Sequence, residues 1–152
     1  MRYLANGFIP ISNPPARRQM PAAASISIVK GDALHDNGSG YATNATVAFA
    51  ATFLGIAAAD CDNSSGDAGT LDVEYFPVDT TTQYIVPVAA NALITQTAVG
   101  TIVDLEANDD VDISDTTIAA GPGFFIDRID VCADAVAANT YGYAIGHFAY
   151  VS

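Results

Sequence analysis

Between Thr70 and Phe76 the chain reads TLDVEYF, which puts Leu71, Val73 and Tyr75 on one side of an extended backbone and Asp72 and Glu74 on the other. Successive side chains of a strand point to opposite faces, so this alternation predicts a strand with one buried and one wet face. The same period of two recurs along the chain. Ile26 and Ile28 alternate within Ser25 to Lys30, Tyr84, Val86 and Val88 within Thr82 to Val88, and Val111 and Ile113 against Asp110, Asp112 and Ser114. Thr101 to Glu106 and Phe124 to Cys132 also read as strands. The closing segment alternates Tyr141, Tyr143, Ile145, His147 and Ala149 against smaller or aromatic neighbours, as a strand inserted into a sheet would. One short helical turn is predicted between Asn91 and Gly100. The fold class that follows is all-β: a small β-barrel or β-sandwich with little helix.

The densest structural signals lie between Ile28 and Asp60. Asn37-Gly38 is a strong hairpin signal, because both central positions of the favoured tight turn take positive φ. Phe49 to Ala59 is so apolar that periodicity alone does not separate a buried strand from a short helix. Phe53, Leu54, Gly55 and Ile56 favour the strand, with the glycine permitting close backbone approach. Asp60 to Gly69 reads as a surface loop and Gly121-Pro122-Gly123 as a turn. Pro87 marks an edge or a strand end, since proline donates nothing to a ladder.

Residues 1–24 differ from all this. They carry four prolines and no sustained periodicity, and are predicted to form an extended arm before a single β-rich domain at 25–152. Fully stretched, such an arm reaches roughly 70 to 80 Å. Arg2, Arg17 and Arg18 fall within it and no acid does, whereas the rest of the chain sets 17 acids against Lys30 and Arg128. That is about +3 on the arm against about −15 on the body. The arm also holds Tyr3, Leu4, Phe8, Ile9 and Ile11, which are costly to leave in water. Arg2, Tyr3, Leu4, Phe8, Ile9, Ile11, Arg17 and Arg18 are therefore the expected partner-binding residues, with a further acidic subunit as the partner.

A net charge of −12 makes nucleic acid a poor partner. The apolar run Ala45 to Ala59 is shorter than the roughly 20 residues that span a bilayer, and the proline-broken N-terminus does not read as a secretion signal. Synthesis in a cytoplasm and no membrane partner are expected. Cys61 and Cys132 are isolated in sequence and read as buried thiols. The acids of 60–69 and 108–115 invite a metal reading, but the first stretch lacks the glycine position and closing glutamate of a calcium loop, and a polar hairpin face accounts for the second. His35 sits beside a turn, and His147 reads as a hydrogen-bonded structural residue. Arg128 is expected to pair locally with Asp127 and Asp130. No nucleophile, phosphate or dinucleotide motif surrounds these groups. The sequence reading is a non-enzyme with no catalytic residues, no metal site and no cofactor.

The order of segments resembles the small phage capsid decoration, or cement, proteins. The resemblance is carried by Val29-Lys30-Gly31-Asp32-Ala33-Leu34, Ala51-Thr52-Phe53-Leu54-Gly55-Ile56-Ala57, Tyr84-Ile85-Val86-Pro87-Val88 and Ile94-Thr95-Gln96. It continues through Val99-Gly100-Thr101-Ile102-Val103-Asp104-Leu105, Phe124-Phe125-Ile126-Asp127 and Gly146-His147-Phe148, so it spans most of residues 28–148. It implies a compact β-domain on the outer surface of a virion that binds the major capsid protein and further copies of itself, as a homotrimer or another homo-oligomer, without enzymatic activity. A terminal arm that clamps neighbouring shell subunits is part of the same expectation. The alternative is a β-sandwich adhesin or head-fibre module that binds a host surface or glycan.

Overall fold

Alternation in the sequence becomes alternation in space in the computed structural model, which describes residues 7–45, 49–88, 96–118, 121–130 and 142–150. The strands in order are β1 (Ile9–Pro10), β2 (Arg18–Pro21), β3 (Ile26–Ile28), β4 (Ala33–Asp36), β5 (Ala42–Asn44), β6 (Phe53–Ala57) and β7 (Cys61–Asn63). There follow β8 (Asp72–Pro77), β9 (Tyr84–Pro87), β10 (Ile102–Ala107), β11 (Asp110–Asp112), β12 (Pro122–Asp130) and β13 (Tyr143–Tyr150). A single 3-10 turn, Gln96–Ala98, is the helical content of the described residues. The fold is all-β, as the sequence predicts.

The described residues form two larger sheets and a small one: β1-β9-β13-β12-β10-β11, β2-β8-β6-β4-β5, and the pair β3-β7. The paired strands run antiparallel throughout. Each large sheet is also curled toward closure by an isolated parallel bridge, Val88 to Val111 in the first and Ala22 to Ala42 in the second. Each bridge covers part of a sheet edge that would otherwise stand open.

The five-stranded sheet has a core on each face. Ala33 of β4 and Phe53 and Ile56 of β6 join the large core against the six-stranded sheet, while their neighbours Leu34 and Ala57 turn to a second core with Ile28, Cys61, Val73 and Tyr75. The β3-β7 pair lids this second core. Burial on both faces explains why FLGIA is nearly continuously apolar where other strands alternate. It also resolves the Phe49 to Ala59 ambiguity in favour of a strand.

Aromatic rings fill the large core. Phe148 lies 5.2–5.6 Å, centroid to centroid, from Phe8, Phe49, Phe53, Tyr84 and Phe124, mostly in tilted or edge-on packings that suit the ring quadrupoles. Two glycines let the backbones come close enough. A side chain at Gly55 (φ 146°) would collide with the carbonyl oxygen of Phe76, and one at Gly146 with that of Phe125.

Several local expectations change. The Asn37-Gly38 hairpin forms, but β4 and β5 close at Asp36 and Ala42, and positive φ falls on Gly38 and Gly40 rather than on Asn37. The Asp36 carboxylate accepts both glycine amides (2.8 and 3.0 Å), which favours this wider turn over a two-residue one. The expected loop at 60–69 opens with β7, because Cys61 and Asn63 have buried places to fill. Pro122 and Gly123 belong to β12 rather than to a turn. Pro87 ends β9, which is flanked on both sides by β1 and β13.

The arm is the largest change. Its described part does not extend away from the body: β1 pairs with β9 and β2 with β8, so residues 9–21 strap the two large sheets together.

Candidate partner-binding surface

The strap is held by its side chains as much as by its backbone. Phe8 is 1% exposed and inserts among Phe49, Tyr84, Phe124 and Phe148. It was expected to meet a partner and instead is part of the core, since burying an aromatic ring stabilises the fold by a few kcal/mol. Its amide donates to the Gly31 carbonyl (2.8 Å), Ile11 N–H to Gln83 O (2.9 Å) and Gln83 N–H to Ser12 Oγ (2.9 Å). Of the remaining expected residues, Ile9 (38% exposed), Ile11 (44%), Arg17 and Arg18 stay at the surface. Arg2, Tyr3 and Leu4 lie outside the described residues.

Beside β1 the strap forms one wall of an apolar cleft of about 260 Å³. Phe8, Ile9 and Pro10 face Val29, Lys30, Gly31, Ala57 and Phe76 across it. Val29, 47% exposed, forms an apolar rim opposite Ile9. Arg17 stacks its guanidinium 5.5 Å from the centre of the Phe76 ring and reaches Glu74 at 3.1 Å. These contacts on an exposed arginine are worth at most about 1 kcal/mol each. They fix where the charge stands rather than holding the fold. Sequence reasoning placed half of this surface, Ile9, Ile11, Arg17 and Arg18, and missed the wall of Val29, Lys30 and Phe76. The signal for Val29 was present: Ile26 and Ile28 point inward, so Val29 is an apolar residue on the outward beat of the alternation.

The turn carrying Val29 and Lys30 is pinned by carboxylates. Asp32 accepts the Val29 amide (2.9 Å), Asp60 accepts the Lys30 amide (2.7 Å), and Asn108 hydrogen-bonds to the Asp32 side chain. Burial, with Asp109 and Asp60 nearby, raises Asp32 to about 6 against its donors. Asp104 is buried under Phe49 and accepts its amide (2.6 Å) and that of Leu105 (2.8 Å); burial again raises its pKa.

A second cluster lies on the six-stranded sheet. His147 Nδ1 donates to Asp127 Oδ2 (2.9 Å), Gln83 Nε2 donates to the same oxygen (3.2 Å), and the Phe125 ring tilts against the imidazole at 5.2 Å. Asp127, expected to pair with Arg128, is thus engaged from the other side. It comes from the bulge between Ile126 and Arg128, which re-aims its side chain. The His35 ring is within 3.4 Å of Thr52 Oγ1. Cys61 is a free, buried thiol whose pKa burial raises, and Cys132 lies outside the described residues. Among the described residues no three His, Cys, Asp or Glu side chains gather as a metal cluster, and no helix is long and apolar enough to cross a membrane.

Compared with protein-family models, curated proteins and solved structures, the chain matches none.

Proposed function

We propose that the protein is a structural component of a viral head, which decorates the capsid and cements it by binding the major capsid protein and further copies of itself. Its place is the outer surface of the virion, after synthesis in the host cytoplasm, and it is not an enzyme. The observation that carries this reading is the strap. A proline-rich segment is fastened to both large sheets, yet leaves Ile9, Ile11, Arg17 and Arg18 at the surface of a strongly acidic body. Residues fixed in place cost less entropy to bind than a loose tail would. Repeated over many copies on one shell, a modest contact of this kind becomes strong. The all-β fold and the sequence resemblance to cement proteins support the same reading.

Deleting the arm would be a poor test, because it would remove Phe8 from the core. Surface changes separate binding from folding. Ile11→Glu with Arg18→Glu leaves the unfolding midpoint within experimental error and lowers the copies retained per purified head by about tenfold or more. Unchanged occupancy would overturn the reading.

A second reading, an adhesin or head-fibre module that binds a host surface or glycan, is favoured by the half-exposed patch of Phe125, His147, Asp127 and Gln83. An aromatic face beside convergent polar groups suits a sugar ring. A glycan array with a hit that Phe125→Ala abolishes would support it over the first.

A further inference from the structure

We infer that the strap cleft receives Leu71 of a second copy of this chain, in a head-to-tail contact. The inference rests on reading the strap surface as partner-binding and names one partner for it. The cleft has an apolar floor and two exposed apolar rims, Ile9 and Val29. Its volume of about 260 Å³ lies below the roughly 300–1,000 Å³ usual for small-molecule sites, and suits one aliphatic side chain offered by a protein. Lys30 stands in its wall, in no ion pair among the described residues. The favoured occupant is therefore an apolar side chain with acidic neighbours.

The chain presents such a group itself. Leu71 is 43% exposed although it precedes the regular strand β8, and Asp72 directly follows it, also exposed. The Leu71 backbone is held by Ala22, whose amide donates to its carbonyl at 2.8 Å, so the side chain is presented from a fixed position. Leu71 stands before the first residue of β8 and Phe76 of the cleft near its last. Cleft and knob therefore lie toward opposite ends of one strand. A contact that joins two different patches is heterologous, and closes into a ring or continues as a chain of copies according to the rotation between them. Charge favours the pairing: Lys30 of one copy, with Arg17 close by on the Phe76 ring, meets Asp72 of the next, on a body that is otherwise strongly acidic.

Sedimentation of the full chain over a roughly 50-fold concentration range tests this, with attachment to purified heads measured in parallel. The expected result is a mass that rises with concentration and falls with added salt. Leu71→Asp and Val29→Asp each weaken association about tenfold or more. Lys30→Glu also weakens it, and Lys30→Glu combined with Asp72→Lys restores it. All four positions are exposed, so unchanged circular dichroism and unfolding midpoint show that the variants fold. A constant monomer mass, or association indifferent to Leu71→Asp and Val29→Asp, overturns the inference. If the chain stays monomeric while Val29→Asp abolishes attachment to heads, the cleft belongs to the shell protein and the self-contact is wrong. If copies associate as described but heads are not decorated, the self-contact stands and the cement reading fails.

Discussion

At the scale of single residues, the fold depends on a few side chains that arrive from far away in sequence. Phe8 lies 140 positions before Phe148, and their rings pack at 5.6 Å. Phe8→Ala would leave a ring-sized cavity with little room to collapse, because Phe49, Tyr84 and Phe124 surround it together with Phe148. The expected loss is about 3–5 kcal/mol in urea unfolding, larger than for any exposed strap residue. Asp104 offers a different test, since its buried carboxylate holds the amides of Phe49 and Leu105. Asp104→Ala strands both donors and is expected to cost roughly 1–3 kcal/mol at pH 7. Asp104→Asn keeps an acceptor and removes a buried charge, so its cost at the same pH should be the smaller of the two. An equal loss in both variants would show that the charge, not the acceptor, is what the site requires.

At the scale of elements, the strap behaves as two edge strands joined by a proline-rich link. β1 covers β9 over Tyr84 and Ile85, and Ser12 Oγ continues the coverage by accepting the Gln83 amide. Ser12→Ala removes that acceptor at an exposed position. Amide exchange at Gln83 should accelerate about tenfold, while the β12–β13 ladder keeps its protection and global stability falls by no more than about 1 kcal/mol. Uniform acceleration along both strands would mean instead that strap and sheet open as one unit. The elements that sequence reasoning found are those whose pattern is local: β8, β9, β13 and the β10-β11 hairpin declare themselves by alternation. β7 did not, because it is three residues long and its reason to be extended is the distant strand β3. The strap was misjudged for the same reason. Nothing near Phe8 reveals that the space it fills is made by Phe49, Phe124 and Phe148. The cleft was half legible, since Ile9 stood out as apolar in an arm, whereas Val29 and Phe76 became neighbours of Ile9 only through the pairing of β1 with β9 and of β6 with β8.

At the scale of the whole molecule, the excess of acid determines how stability responds to pH. Asp32 and Asp110 are both raised to about 6, by burial first and then by neighbouring carboxylates, Asp109 among them in each case. Burial raises Asp104 as well. In the unfolded chain these groups ionise near 3.8. Between that value and about 6 the native state holds protons that the unfolded state has released, so stability falls as pH rises through this window and levels off above it. Asp62 and Asp112 act in the opposite sense: hydrogen bonds from Ser64 lower Asp62, burial of Asp112 is outweighed by hydrogen bonds led by those from Ser114, and both contributions are lost on further acidification, below the usual carboxylate range. Stability is therefore expected to be higher in mild acid than at neutrality. Partial removal of the net charge of −12 works in the same direction. A shift of two units is nominally worth about 2.7 kcal/mol for one group, and solvent screening at the half-buried Asp110 reduces the total. Going from pH 7 to pH 5 should add roughly 1–2 kcal/mol, seen as a rise of about 3–6 °C in the unfolding midpoint. Asp32→Asn with Asp110→Asn should flatten that slope. If the doubly substituted chain keeps the full dependence, the general charge of the molecule, rather than these two buried carboxylates, governs its response to acid.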